Sequence, residues 1–180
     1  MTLIRLLRVA TFAVAFTASL VSVAQPALPT VPTLDLDRYV GQWHEIARYP
    51  NSFERDCARD VTATYTRNAD GSVQVVNACR KADGSEMRAE GQARMAVPPS
   101  KLEVRFAPAW LSWLPLVWAD YWVIDLASDY SYAVVGEPSR DYLWILARDP
   151  RLPDATLERI VAKLPDLGYD PEKLVRNPRP

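Results

Sequence analysis

The sequence predicts an all-β fold: an eight-stranded antiparallel up-and-down barrel with one C-terminal α-helix packed on its outside. Three observations carry this expectation. Past residue 34 the chain reads as short strand-like runs separated by turns, at about 43–49, 61–67, 73–79, 87–95, 101–106, 120–126, 130–135 and 142–148, and eight strands close a small barrel. Where the alternation is clean, one side of each strand is apolar and the other polar. Only the stretch after Pro153 keeps a helical period.

The first segment lies outside the fold. Arg5 and Arg8 precede an uncharged run from Val9 to Val23, and Ser22-Val23-Ala24 is a small-x-small cleavage signal, so residues 1–24 read as a secretory signal peptide cut after Ala24. A membrane anchor is the competing reading, but the run is roughly 15 residues and a span needs about 20. Removing the leader leaves 19 basic against 22 acidic residues, a formal charge of −3. Residues 25–34 are a Pro-spaced linker, and the domain proper covers 35–180, with the barrel at about 41–148 and the helix at about 153–167.

Export makes the two cysteines informative, because an oxidising compartment lets Cys57 and Cys79 form a bridge. They flank a hairpin: Val61–Tyr65 and Val73–Asn77 are strand-like, and Asn68-Ala-Asp-Gly71 between them is turn chemistry. Folding that hairpin brings the two thiols nearly opposite one another, with a register error of about three residues that a bulge must absorb.

Next come two strands with one wet face each. Met87, Ala89, Gly91, Ala93 and Met95 alternate with Arg88, Glu90, Gln92 and Arg94, and Leu102, Val104 and Phe106 alternate with Lys101, Glu103 and Arg105. A two-layer sandwich is the alternative architecture. Ala89, Gly91 and Ala93 are small where a sandwich core wants bulk, which points to an interior space. Residues 106–118 then run without charge and carry Trp110, Trp113 and Trp118. So apolar a loop must be covered or meet an apolar partner: it lines the barrel mouth, touches a membrane surface, or buries itself in a homodimer.

Strand 142–148 is apolar on both sides and needs cover from outside. The segment opening at Pro153-Asp154 supplies it, since Leu157, Ile160, Val161 and Leu164 follow helical spacing until Pro165 and Gly168 stop it.

Composition excludes several functions. There is no basic excess for a nucleic-acid partner. One His and two Cys cannot build a soft-ligand zinc site, and CxxC, HExxH and GxxxxGK[ST] patterns are missing. No metal and no cofactor are expected.

Three ordered segments resemble the lipocalin family. Gly41-x-Trp43 resembles its first signature, Ala119-Asp120-Tyr121-Trp122 its second, usually Thr-Asp-Tyr, and Arg148 closing Leu143-Trp-Ile-Leu-Ala-Arg148 its third. Phe53-Glu-Arg, Val61–Tyr65, Tyr121-Trp-Val-Ile and Arg140-Asp-Tyr-Leu-Trp-Ile-Leu are similar to bacterial lipocalins of the outer-membrane lipid-binding type, related to apolipoprotein D. The resemblance covers about residues 35–178. It implies a calyx whose closed end is plugged by Trp43 with Arg148 over its ring. That setting of Arg148 turns Leu146, Trp144 and Tyr142 inward and Leu143 and Ile145 toward the helix. Three departures stand out: His44 occupies a position usually held by Tyr, Ala119 replaces Thr, and no Cys stands at the processing site to accept a lipid anchor.

The implied function is a carrier rather than an enzyme. Ala47, Tyr49, Val104, Phe106, Tyr121, Tyr142 and Trp144 are the expected ligand-binding residues, Gly41, Trp43, Asp120 and Arg148 the structural signature, and Cys57 with Cys79 the disulfide. By resemblance the ligand is a fatty acid or lysophospholipid, stored or moved in the cell envelope, in the periplasm alone or in association with the outer membrane. Two rivals are an envelope enzyme working through a carboxylate such as Glu45, with no GxSxG or Cys nucleophile to help it, and a haem or pigment carrier using His44, the sole imidazole.

Overall fold

A computed structural model describes residues 26–96 and 100–178; the expected signal peptide lies outside the described residues. The eight strands are β1 Gly41–Arg48, β2 Arg59–Arg67, β3 Val73–Arg80, β4 Glu86–Met95, β5 Lys101–Arg105, β6 Ala119–Leu126, β7 Tyr132–Gly136 and β8 Leu143–Ala147. Each pairs antiparallel with the next, and β1 pairs with both β8 and β2, so the sheet closes on itself. The expected spans differ from these by no more than two residues at either end.

Several short pieces lie outside the expected elements. Helix α1, Leu36–Tyr39, is capped by Asp35, whose carboxylate accepts from the Asp37 and Arg38 amides. Two 3₁₀ turns, Ala109–Leu111 and Pro115–Val117, shape the Trp-rich segment. A two-residue strand β9, Val175–Arg176, pairs with Ala47 and Arg48 where β2 has already parted from β1.

Helix α2, Asp154–Lys163, covers the outside of the barrel as the spacing requires. Its Leu157 and Ile160, with Leu164 just beyond, pack on Leu143 and Ile145, while Leu146 belongs to the interior with Trp144 packed beside it. The two apolar sides of β8 therefore serve two separate cores. Tyr169 crowns the outer one, its hydroxyl so close over Gly136 that a Cβ there would sit 2.1 Å away. The Pro-spaced segment is no free tether. Leu28 and Leu34 are buried, and the Val31 amide donates to the Val123 carbonyl at 3.0 Å.

The Cys57–Cys79 disulfide is formed, with Cα atoms 5.6 Å apart. The register error is absorbed as expected: between Arg59 and Thr62 the β2–β3 ladder shifts, and Asp60 takes a positive φ of 56°.

Candidate functional site

The floor of the barrel is built first, because every strand is referred to it. β1 starts there at Gly41, whose φ of +99° favours glycine and whose missing Cβ leaves 3.2 Å to an Arg148 guanidinium nitrogen. Arg148 lies 3.8 Å from the centre of the Trp43 ring. The same guanidinium donates to the carbonyls of Gln42, Arg38, Tyr39 and Val40 at 2.6–3.0 Å, tying β1 and β8 to the end of α1. Trp43 has no solvent exposure, and its indole N–H donates to the Tyr39 carbonyl at 2.8 Å.

Just above Trp43 the interior carries a chain of three phenols. Tyr121 shares hydrogen bonds of 2.8 Å with Tyr39 and with Tyr65. Burial pushes all three hydroxyls up, Tyr65 to about 12, so each keeps its proton. Around them Val73, Val75, Ala93, Leu102, Val123, Ala133, Val135 and Leu146 fill the lower half.

The upper half differs. Ala89 pairs with Asn77 and continues the inward series of Ala93, and Ala119 pairs with Val104, yet both alanines are exposed. Exposure at positions that point inward means solvent enters the barrel from this end. Phe106, half-exposed, lies at the rim against Gly91, where its ring would be 2.8 Å from a Cβ. Tyr142 and Trp144 stack nearly parallel with centres 5.9 Å apart, and Phe53 from the loop after β1 joins them at 5.7 and 6.2 Å.

A charged cluster sits beside these rings. The Arg48 guanidinium lies 3.0 Å from a Glu45 oxygen and 3.0 Å from a Glu54 oxygen, and it donates to the Asn177 side-chain oxygen at 2.8 Å. The Asn177 amide returns a bond to Glu45 at 2.9 Å, and the Trp144 indole donates to Glu54 at 3.1 Å. Burial first, and the neighbouring Glu54 carboxylate second, raise the Glu45 carboxyl to about 8 against the pull of Arg48. The Arg48 guanidinium is thus already held by two carboxyl groups of the chain itself.

The Lipocalin-like domain family matches residues 34–179. A protein of Arabidopsis thaliana, "Temperature-induced lipocalin-1", is 40% identical over 84% of this chain and 83% of its own length. "Outer membrane lipoprotein Blc" of Escherichia coli K12 is 35% identical over 81% and 79%, and "Apolipoprotein D" of Mus musculus is 34% identical over 83% and 79%. Among solved structures, insecticyanin from the tobacco hornworm Manduca sexta superposes with a TM-score of 0.66 over 85% of both chains at 21% identity. The chain belongs to the lipocalin family.

In this lipocalin the signature residues Gly41, Trp43 and Arg148 meet as the resemblance implied. Asp120 points to the outer side, where it accepts from the Trp122 indole at 3.1 Å. Of the expected ligand-binding residues, Tyr121, Val104, Tyr142 and Trp144 face the interior, and Phe106 stands at its rim. Ala47 and Tyr49 do not face it. Both are buried in the outer core beneath α2, and the Tyr49 hydroxyl donates to the Asp170 carbonyl at 2.7 Å. The physical reason is a register shift in β1 between Glu45 and Ala47. It places Ile46 and Ala47 on the same outer side and reverses the alternation that Trp43 and Glu45 set.

The shift also turns Arg48 inward, and Glu54 from the following loop, Asn77 of β3, Tyr39 of α1 and Tyr65 of β2 join the lining although the sequence pattern did not single them out. His44 is half-buried between Thr62 and Ala147 on the outer side, away from the lumen. Trp118 is likewise on the outer wall, with the Arg94 guanidinium 3.9 Å and that of Arg105 5.2 Å from its ring centre. Trp110 and Trp113 stay three-quarters exposed and Leu116 almost wholly so. They stand on the same end as Phe53, Phe106 and Tyr142. The lipocalin thus combines a sealed floor, an open upper lumen with aromatic walls, and an apolar rim.

Proposed function

We propose that this protein carries a single-tailed amphiphile, a fatty acid or lysophospholipid, in the upper half of the calyx, and that it does so without catalysis. The observation that carries the reading is the exposure of the inward-pointing alanines Ala89 and Ala119 above a fully buried floor. It supports a lumen open at one end only, lined below the rim by Val104, Tyr121 and Trp144. Burying about 15 methylenes at roughly 0.8 kcal/mol each gives on the order of 12 kcal/mol gross before the entropy of holding a flexible chain is subtracted. Glu45, the candidate acid or base, is bound to Arg48 and Asn177, an arrangement that holds it rather than presents it.

The ligand enters over the rim. Trp110, Trp113 and Leu116 form an uncharged crest, exposed at the same end as Phe53, that suits the headgroup level of a bilayer, where indoles are at home. A homodimer sealed by the same crest is the second use of that surface. The bacterial branch, export by residues 1–24 and a place in the envelope beside the outer membrane belong to the same reading, and the Escherichia coli and Vibrio cholerae relatives named outer membrane lipoproteins support it.

Native mass spectrometry of protein purified without detergent tests the reading, since it reports a co-purified lipid and the oligomer together. The expected result is a monomer with one retained lipid that a fluorescent acyl probe displaces. A folded protein that retains nothing and binds no probe refutes the carrier.

A further inference from the structure

We propose that the calyx holds a second polar contact below its mouth, made by the Asn77 side-chain amide and the hydroxyl chain Tyr39–Tyr121–Tyr65, which receives an oxygen function on the ligand's own hydrocarbon chain. The inference rests on the carrier reading and narrows it: the favoured amphiphile bears a hydroxyl or keto group along or at the end of its tail, in addition to its headgroup.

Hydrogen-bond inventory is the ground for this. Three phenols bring three hydroxyl protons, and the two bonds centred on Tyr121 consume two of them. Among the described residues these hydroxyls make no other hydrogen bond, so one proton is spare whichever way the chain is oriented. Burial keeps every phenol protonated at ordinary pH, so the chain remains a donor. Asn77 supplies the complement. Its side-chain oxygen is buried with no hydrogen-bond partner among the described residues, a state that folded proteins seldom leave unanswered.

Placement brings the two groups to one patch. Tyr65 pairs with Val75, and Asn77 is two residues further along β3 on the same inward side, so the two side chains are diagonal neighbours about 7–8 Å apart at their origins. The residues flanking Asn77 across the sheet are Ala63 and Ala89. Both are small, so the amide stands in a recess that a ligand atom can enter. The opposite wall is apolar there, with Leu102, Val104, Val123 and Val135. A plain acyl chain would satisfy that wall and leave both the amide oxygen and the spare proton dry. A chain carrying a hydroxyl can donate to Asn77 and accept from the phenol chain.

Equilibrium binding of stearate against its mid-chain hydroxylated counterpart, and of palmitate against its terminally hydroxylated counterpart, tests this on the wild-type protein and on Asn77→Leu. The expected result is a preference of about three- to tenfold for at least one hydroxylated acid in the wild type, the size of one added hydrogen bond. In Asn77→Leu the preference is lost or reversed, with plain acids bound at least as well as before. Asn77→Ala replaces it if the leucine variant does not melt cooperatively. Equal binding of plain and hydroxylated acids by the wild type, or a preference that survives at residue 77, overturns the subsite and means that water alone answers these groups. Failure of all four acids to bind overturns the carrier reading itself.

Discussion

At the closed end of the barrel Arg148 gives its N–H groups to four carbonyls and lies on an indole with no exposure at all. A few residues higher, Asn77 keeps a buried oxygen without a partner, and alanines that point inward are wet. The same eight strands make both ends. The difference teaches that stability and binding are assigned to separate levels of one barrel: the floor is saturated in packing and hydrogen bonds, and the upper half is left incomplete where something else can complete it. Substitutions at the two levels should therefore fail in different ways.

The floor is where the largest loss is expected. Trp43→Ala removes the ring under Arg148 and opens a cavity in the most buried part of the molecule, with an expected cost of about 3–5 kcal/mol. Trp144→Ala, at a partly buried position in the upper lumen, should cost clearly less and instead weaken acyl-probe binding. Chemical denaturation of the two variants side by side checks this, and equal losses would erase the distinction between the levels.

The open end is held by a covalent tie instead. Cys57 and Cys79, 22 residues apart, close the mouth side of the β2–β3 hairpin, and the chain-entropy argument puts the bridge at about 3 kcal/mol. Replacing both by Ser should lower the denaturation midpoint by that amount while Trp43 keeps its buried indole fluorescence until global unfolding. Early exposure of Trp43 in the double variant would show that the floor depends on the mouth.

Charge sharpens the comparison further. In the folded protein Glu45 holds its proton up to about 8, whereas its ordinary value is 4.5. Between those limits the folded state binds more protons than the unfolded one, so stability falls as pH rises from about 5 to about 8 and levels off beyond. The groups facing Glu45 are Arg48, Glu54, Asn177 and, from the neighbouring strand β2, Tyr65. Glu45→Gln keeps the shape and removes the titration, so its melting temperature should vary less over that window than the wild type's. A wild-type profile flat from pH 5 to 8 would mean that Glu45 ionises at its ordinary value.

The two levels were also unequally legible in the sequence. The floor could be read because its parts are local signals: Gly41 for a positive φ, Trp43 two residues on, and Arg148 ending a strand apolar on both sides. The hairpin and its disulfide were readable for the same reason, since turn residues and thiol spacing set the register. The upper lumen was not. A one-residue shift inside β1 has no signature in the string Glu45-Ile-Ala-Arg48, and it reversed the placing of Ala47, Arg48 and Tyr49. Glu54 and Phe53 enter from a loop, and strict alternation says nothing about loops. Asn77 was legible in principle, as a polar residue inside the inward series Val73, Val75, Cys79, but a lone amide on an apolar side reads as an interruption until its neighbours are seen to be alanines.

The smallest change in stability is expected at the rim, and it is the most discriminating. Trp113 and Leu116 touch little of the barrel, so Trp113→Ser and Leu116→Ser should each alter unfolding by no more than about 0.5 kcal/mol. Trp118, lying against Arg94 and Arg105 on the outer wall, serves as the internal control: Trp118→Ser removes a packed ring from the same segment and should destabilise by more than either. Binding should follow the opposite order. Sedimentation with phosphatidylethanolamine–phosphatidylglycerol vesicles should fall most for the doubly substituted crest and least for Trp118→Ser, because only the crest is free to enter a headgroup layer. If the crest variants keep wild-type vesicle binding and instead change the mass of the particle in solution, the exposed indoles belong to a dimer interface, and the open end is closed by a second copy of the chain rather than by a membrane.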